Sequence, residues 1–218
     1  MGGLPFSEYL STYRDQILVS TQQHALLSLY CVLIAAALGV AVAMATYGRP
    51  WGASFSISTA AVIFTLPSVA LFGFLVSVVG YGLISVFPVV VAYAMLPILR
   101  NAIVGLQSAD PAVVDAARGM GVGRARMMWQ IRLPIAWPVI LAGVRVSAQL
   151  TVGVVAIAAF VVRLGLGEYG YHALDNLGSV NTKNEALVCV IFVILVALVF
   201  DAAFVLIRRL TTPRGIRA

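Results

Sequence analysis

The chain alternates between long apolar runs and short polar connections, and five of the runs are long enough to cross a membrane. A helix needs about 20 mainly apolar residues to cross a hydrocarbon layer of roughly 30 Å. The five runs are about His24–Tyr47, Ile57–Val79, Leu83–Leu99, Pro134–Val162 and Ala186–Ile207. The fourth is longer than a crossing needs, which predicts a tilt or a break. The pattern therefore predicts an all-α integral membrane protein with five transmembrane helices.

Composition excludes an ordinary soluble domain. Of the 218 residues 61% are hydrophobic and 10% are charged, whereas a soluble domain carries about 25% charged residues. Such a chain cannot cover its surface with polar groups, so its outside faces lipid. Cys31 and Cys189 both lie in apolar runs, so neither a disulfide framework nor a metal site is expected.

We divide the chain into three parts. Residues 1–23 form an amphipathic segment that lies along the interface or packs on the helix bundle. Residues 24–210 form the transmembrane domain, which includes a long polar loop over residues 107–133. Residues 211–218 form a polar tail.

The basic residues predict the orientation. Ten of them lie in the connections on one side of the membrane: Arg49, Arg100, Arg118, Arg124, Arg126, Arg132, Arg208, Arg209, Arg214 and Arg217. By the positive-inside rule this side, with the C-terminus, is cytoplasmic. Five crossings then place the N-terminus and the 163–185 segment outside. The net charge of +6 reflects this membrane orientation, so no nucleic-acid partner is expected.

The 107–133 loop has the pattern of two short helices joined by a glycine bend. Asp110 and Pro111 are typical of a helix start, and Gly119 and Gly121 supply a stop or bend. A second amphipathic piece with Arg124 follows. The physical pattern alone fits equally an amphipathic helix that covers the bundle and a surface on which a partner docks.

The loop also resembles a known family. Asp115-Ala116-Ala117, Gly121, Ile131 and Leu133-Pro134 match the loop pattern of binding-protein-dependent ABC importer permeases, with Asp115 where the family usually has Glu. The small side chains at Ala116 and Ala117 would allow another protein to approach the backbone closely. The resemblance implies that the following residues couple the chain to an ATPase: Asp115, Ala116, Ala117, Gly119, Gly121, Arg124, Ile131, Leu133 and Pro134.

Other runs are similar to the branch that imports osmoprotectants such as glycine betaine, choline, carnitine and proline. They are Thr65-Leu66-Pro67-Ser68, the 96–101 run, the 116–121 run and the 141–145 run. The resemblance implies a type I ABC importer permease fold, similar to methionine and maltose permeases, with a cytoplasmic coupling helix. It implies no enzymatic activity in this chain.

The resemblance also implies partners. They are a cytoplasmic ABC ATPase dimer, a second permease that is identical or related, and an extracytoplasmic solute-binding protein. The chain has no G-x-x-x-x-G-K-S/T motif for a nucleotide, so no cofactor is expected here, and ATP and Mg would bind the ATPase. Closure of the ATPase pair would rock the bundle between inward-open and outward-open states.

Arg145 lies within the fourth predicted span. A charge at that depth is costly unless it is paired or hydrated, so Arg145 should face the bundle or a watery path. Gln149 lies four residues further on the same face. We hypothesise that Arg145 pairs with Asp201 of the fifth span. Alternatively, Asp201 reaches the interface near Arg208 while Arg145 bonds loop carbonyls.

Pro67 should interrupt the second span, because proline removes a helix hydrogen bond. The hydroxyls of Thr65 and Ser68 can bond the freed backbone groups. We expect a kink that lines the translocation pathway, although packing kinks are common in membrane helices. Pro97 could similarly bend the third span. The predicted pathway residues are Thr65, Pro67, Ser68, Arg145 and Gln149.

Three alternatives are open. The chain could be an ABC permease for another solute, such as methionine or phosphate, because the loop pattern is shared among these importers. It could be a channel or scaffold, which would have no affinity for an ATPase. An intramembrane enzyme is less favoured, because no G-x-S-x-G or H-E-x-x-H motif occurs. Both His24 and His172 are expected at or beyond the outer boundary, and His172 is interpreted as an interfacial residue.

Overall fold

The computed structural model describes residues 3–212, which are helical with short connections and contain no strand. The helices are α1 (Phe6–Thr12), α2 (Arg14–Thr46), α3 (Pro50–Thr65), α4 (Ser68–Val79), α5 (Leu83–Gln107), α6 (Pro111–Gly119), α7 (Arg124–Met127), α8 (Leu133–Ala158), α9 (Gly167–Asp175) and α10 (Thr182–Thr211). A π-helical turn, Met128–Arg132, joins α7 to α8. The predicted tail beyond residue 212 lies outside the described residues.

Four of these helices are long and apolar enough to cross a membrane by themselves: α2, α5, the continuous Arg124–Ala158 helix and α10. Helix α2 begins at Arg14, so part of the predicted amphipathic segment belongs to the first long helix. Helix α5 continues to Gln107 rather than ending at Leu99. Arginine and asparagine mark the edge of the apolar layer, but neither residue ends a helix.

The second predicted span is two helices rather than one kinked helix. Helices α3 and α4 meet at an angle of 90°, and Leu66 and Pro67 between them have extended backbone. The cause is local, because the residue before a proline is disfavoured in the helical region. With 16 and 12 residues, the two helices are about 24 and 18 Å long, too short to cross the layer singly.

The bundle has two ends, which we name the α6 end and the α9 end after the short helix that lies at each. At the α6 end, the amide of Gln107 donates to the carbonyl of Tyr47 (2.9 Å), and Trp137 donates to Thr211 (2.8 Å). At the α9 end, the side chain of Asn184 donates to the Leu4 carbonyl (2.8 Å). Because α2 and α5 both end at the α6 end, the α3–α4 pair between them crosses the layer. Counting this pair as one broken span gives the five predicted crossings.

The core forms where α5 packs between α2 and α8, and glycines allow the helices to approach closely. A Cβ on Gly143 would lie 2.6 Å from Cβ of Asn101, and one on Gly39 would lie 2.9 Å from Ile98. Small residues serve this purpose at many membrane helix contacts. The hydroxyl of Ser147 also donates to the Ala94 carbonyl of α5 (2.7 Å).

Helix α8 ends at Ala158, and the following segment folds back onto the bundle. Gly165, with φ +75°, packs against the backbone of His24. His24 is fully buried, with Nε2 3.1 Å from the Val152 carbonyl, so it packs between helices, and its place at the outer boundary stays a prediction. Because α2 begins ten residues before the predicted span, His24 lies in the third turn of a helix.

Candidate functional site

Helix α6 begins as the sequence predicts. The carboxylate of Asp110 accepts a hydrogen bond from the Ala112 amide (2.8 Å), and Pro111 occupies the first helical position. A proline there loses nothing, because the first amides of a helix have no partner within it. The start of the loop helix is therefore held by two residues adjacent in the chain.

The predicted bend after α6 is confirmed at Gly121. The Gly121 amide donates to the Arg118 carbonyl (2.9 Å) and the Val122 amide donates to the Ala117 carbonyl (3.0 Å), which is the bonding of a Schellman motif. Gly121 has φ +80°, and a Cβ there would meet no atom within 4 Å. Backbone conformation, not lack of space, is therefore the reason for glycine at this position.

Helix α6 has two apolar faces. Its inner face packs Val114 and Ala117, which are 3% and 2% exposed, against Ala109 and Met127. The prediction that Ala117 offers its side chain to a partner is therefore wrong. A helix turns about 100° per residue, so the outer face carries three other apolar residues, all exposed: Val113, Ala116 and Met120.

The second arm of the loop is continuous with the fourth span. Helix runs without interruption from Arg124 to Ala158, whereas the sequence analysis began the span at Pro134. The π-helical turn ends at Arg132, and Pro134 follows in the first turn of α8, where its missing amide costs little. Arg124 and Pro134 are exposed, while Ile131 and Leu133 are half-buried. The second arm of the loop and α8 therefore form one continuous helix that begins three residues after Gly121.

Arg132 ties this arm to the rest of the α6 end. Its Nη1 donates to the Leu106 carbonyl (2.8 Å), and its guanidinium lies 5.1 Å from the centre of the Tyr47 ring. From the sequence, Arg132 is predicted only to add positive charge to this side of the membrane. The contacts of Arg132 were not predicted, because its position between Ile131 and Leu133 is a variable one in the family pattern.

Four arginines line a cleft beside the bend: Arg49, Arg118, Arg124 and Arg132. The cleft has a volume of about 430 Å³, and within the described part of the chain no acidic residue lines it. Asp115 bonds Arg118 (3.1 Å) on the exposed surface of α6. The α6 end is therefore strongly positive around an apolar helix face.

Deeper in the bundle, the hypothesised Arg145–Asp201 pair is confirmed. Arg145 donates to both carboxylate oxygens of Asp201, at 2.6 and 2.8 Å, and the amide of Gln149 donates to the same carboxylate (2.6 Å). The alternative, in which Arg145 bonds loop carbonyls, is wrong. A bidentate pair satisfies both charges through short, charge-assisted hydrogen bonds.

This polar cluster is open on one side. The Arg145 and Asp201 side chains are 38% and 24% exposed, and Arg145, Gln149 and Arg208 line a cleft of about 200 Å³ between α8 and α10. Charged groups at membrane depth face the bundle interior or a water-filled cavity. The cleft therefore marks a surface that does not face lipid.

At the α3–α4 break, two side chains bond the backbone. The Thr65 hydroxyl donates to the Val62 carbonyl (2.7 Å), as predicted for this residue. The Leu66 carbonyl accepts a hydrogen bond from Tyr93 of α5, not from Ser68 as expected. Thr65 and Pro67 are exposed and Ser68 is half-buried. Tyr93 is a missed residue of this site, because 26 residues separate it from Pro67.

The comparisons with known proteins agree with this architecture. Residues 35–213 match the family described as "Binding-protein-dependent transport system inner membrane component". The chain is 30% identical to the carnitine transport permease protein OpuCB of Listeria monocytogenes, over 92% of this chain and 90% of that protein. It is 32% identical to the osmoprotectant import permease protein OsmW of Salmonella typhimurium, over 90% and 92%.

A third relative, the choline transport system permease protein OpuBB of Bacillus subtilis, is 28% identical over 96% of this chain and 95% of its own length. Among solved structures, the fold is similar to two inward-facing structures of the MetNI methionine ABC transporter. One has a TM-score of 0.70 at 21% identity, covering 91% of this chain and 97% of that chain. The other has a TM-score of 0.75 at 20% identity, covering 90% and 96%.

Proposed function

Because this chain belongs to the family of inner membrane components of binding-protein-dependent transport systems, we propose that it is the transport subunit of an ATP-driven importer of osmoprotectants. Three relatives that match nine-tenths or more of the chain are named for carnitine, choline or osmoprotectant transport. We therefore infer that the solutes are osmoprotectants such as carnitine, choline and glycine betaine, and we keep proline as an expectation from the resemblance. The likeness to methionine transporters, at 20–21% identity, concerns the fold alone.

The observation that carries the coupling role is the exposed apolar face of α6 beside a helix continuous with α8. Val113, Ala116 and Met120 would contact a groove on a cytoplasmic ATPase, which binds ATP and Mg. Ala117 and Gly121 would set the position of that face, because one packs α6 on the bundle and the other makes the bend. Movement of the ATPase pair would then pull α8 directly.

The remaining residues of the predicted coupling set have supporting roles. Asp115 and Arg124 would contact the ATPase from the exposed surface of the loop. Gly119 would end α6 before the bend, while Ile131, Leu133 and Pro134 would hold the second arm. The four-arginine cleft would face acidic groups of the same ATPase, because opposite charges steer and orient association.

The translocation pathway would follow the polar residues that cannot face lipid. Arg145, Gln149 and Asp201 would line it or face a second permease, and Thr65, Pro67 and Ser68 would line it at the α3–α4 break. Five membrane-crossing segments are too few to enclose a translocation pathway, so we expect a second permease, identical or related, to complete it. An external binding protein would deliver the solute.

The orientation follows from the same proposal. The α6 end, where Arg49, Arg118, Arg132 and Arg208 lie, would be cytoplasmic by the positive-inside rule. The α9 end and the N-terminus would then be outside. Labelling of single introduced cysteines with a membrane-impermeant reagent in intact cells tests this sidedness.

The test of function is uptake of labelled glycine betaine and choline at high salt, in cells that lack their own importers and co-express the chain with its ATPase and binding protein. We expect uptake that depends on the ATPase. Ala116→Trp should abolish uptake without reducing membrane insertion, because the bulky ring would block the outer face of α6. Unchanged uptake in this variant would contradict the docking role.

A further inference from the structure

A cavity of about 590 Å³ that is open on one side lies at the α9 end, bordered by α1, the first turns of α2, α9 and the beginning of α10. This volume is in the usual range for small-molecule sites, about 300–1,000 Å³. The bond from Asn184 to the Leu4 carbonyl (2.8 Å) holds α1 against α10, so the N-terminal segment forms one wall. Neither the coupling loop nor the polar cluster around Arg145 contributes to it.

Three tyrosines line the cavity. The rings of Tyr9 and Tyr13 lie 4.5 Å apart between centroids with a tilt of 37°, and Tyr169 approaches from α9. Tyr9 is 3% exposed. Burial, with the nearby Glu185 next, raises the pKa of Tyr9 to about 12, so its ring remains neutral at physiological pH. Neutral tyrosine faces attract organic cations, above all quaternary ammonium groups.

The charge of the lining is negative. Asp15, Glu168 and Glu185 contribute carboxylates, and His172 lies 3.5 Å from Glu168. In the part of the chain that the structure describes, no lysine or arginine lines the cavity. A positive ligand is therefore favoured, and a ligand that brings its own carboxylate is disfavoured.

Two buried acceptors in the lining have no donor. Oε2 of Glu185 and Oδ1 of Asn181 are inaccessible to solvent and make no hydrogen bond to any described residue. Buried polar atoms in folded proteins almost always have a partner. A ligand with a hydroxyl donor would supply one if the Glu185 or Asn181 side chain, both of which line the cavity, turned to expose its acceptor.

We propose that this cavity binds a small quaternary ammonium cation that carries a hydroxyl group, of the choline class, in preference to zwitterions such as glycine betaine and carnitine. The aromatic rings would contact the methylated ammonium, and Glu185 or Asn181 would accept from the hydroxyl. The choice of choline among organic cations rests on the proposed function. The preference for a cation over a zwitterion rests on the lining.

The test measures equilibrium binding of labelled choline to the full-length chain in lipid nanodiscs, with the subunits that co-purify and without the solute-binding protein. We expect saturable binding that tetramethylammonium displaces. Glycine betaine should compete at least about tenfold more weakly, because it brings a carboxylate beside three others. A neutral isostere of choline, with carbon in place of nitrogen, should not compete.

Variants locate the site. Glu185→Gln and Tyr13→Leu should each weaken choline binding by about tenfold, the scale of a desolvated cation–π contact or charge pair. Tyr13→Phe keeps the ring and should bind as the unchanged chain does. Asp175→Asn is the matched control, because Asp175 is an exposed carboxylate at the end of α9 that does not line the cavity. Each variant is compared at equal yield of monodisperse protein.

The outcomes separate this proposal from the proposed function. Choline binding that depends on Glu185 and Tyr13, in a protein that imports no osmoprotectant, would support the cavity and overturn the transport assignment. Osmoprotectant uptake without choline binding would overturn the cavity alone. Equal competition by glycine betaine or the neutral isostere, or full binding by Glu185→Gln, would also overturn it.

Discussion

Two arginine–aspartate pairs of the described residues, Arg145–Asp201 and Arg118–Asp115, have different surroundings. Arg145 and Asp201 join two membrane helices through hydrogen bonds of 2.6 and 2.8 Å, with side chains 38% and 24% exposed. Arg118 and Asp115 lie one turn apart on α6, with one contact of 3.1 Å and side chains 67% and 70% exposed. The same residue types thus form a link between helices in one place and a surface contact in the other.

The difference shows that the surroundings of an ion pair, rather than its residue types, decide how much the pair contributes to stability. Two exposed charged side chains are hydrated whether or not they pair, so their pairing contributes little to stability. A pair at membrane depth has no such alternative, because the unpaired charge would meet an apolar layer. The first prediction below compares one residue from each pair.

The largest effect is expected for Asp201→Ala. The change leaves Arg145 and Gln149 without their shared acceptor in the cleft between α8 and α10, so we expect uptake to fall to background and thermal stability in detergent to drop. The matched variant, Asp115→Ala, should leave thermal stability unchanged. Both are measured by thermal unfolding of the purified protein and by solute uptake.

A double variant sharpens this result. Arg145→Leu with Asp201→Leu removes both charges, so neither remains unpaired, and thermal stability should recover relative to Asp201→Ala. Uptake should remain lost if the cluster lines the pathway. Recovery of uptake together with stability would mean that the pair has only a structural role.

The next largest effect is expected at the bend after α6, where two glycines can be compared. Gly121 has φ +80°, where a side chain costs about 1–2 kcal/mol, so Gly121→Val should shift the loop and greatly reduce uptake. Gly119 is the last residue of α6, with open space around it. Gly119→Ala should be tolerated or stabilise α6 by up to about 1 kcal/mol. Equal uptake in the two variants would contradict the role of the bend.

Much of the fold was predictable, because apolar runs and proline positions act locally. Five crossings, the start of α6 at Asp110 and the bend at Gly121 all followed from such signals, and the family resemblance read from the loop is confirmed by the match over residues 35–213. The Arg145–Asp201 pair was predictable for a similar reason, since a charge at that depth requires a partner. The division of the chain into residues 1–23, 24–210 and 211–218 remains a prediction.

Other features depend on packing between distant parts of the chain. Both sides of α6 are apolar, so the sequence could not indicate that Ala117 faces inward and Ala116 outward. The sharpness of the α3–α4 break involves Tyr93, and the burial of His24 involves the 163–166 segment. The tyrosine-lined cavity joins residues near both ends of the chain, which no local pattern connects.

A smaller effect is expected at Arg132. Arg132→Gln loses the contact with the Tyr47 ring and the charged donor to the Leu106 carbonyl, worth about 1–2 kcal/mol together. Uptake should fall partly, because the second arm remains helical but is less firmly held. Arg126→Gln is the control, because Arg126 is exposed on α7. Equal loss in both variants would point to overall charge rather than to this contact.

The smallest effect is expected for Arg118→Gln, which removes the exposed partner of Asp115. An exposed ion pair between residues one helical turn apart contributes at most about 0.5 kcal/mol, so thermal stability should not change measurably. Any loss of uptake would then arise from contact with another subunit, and the difference from the unchanged chain should shrink as salt increases if that contact is electrostatic. Co-purification of the ATPase at low and high salt measures this, since weaker capture by Arg118→Gln at low salt alone indicates a charge contact. A clear loss of thermal stability would instead contradict the distinction between the two arginine–aspartate pairs.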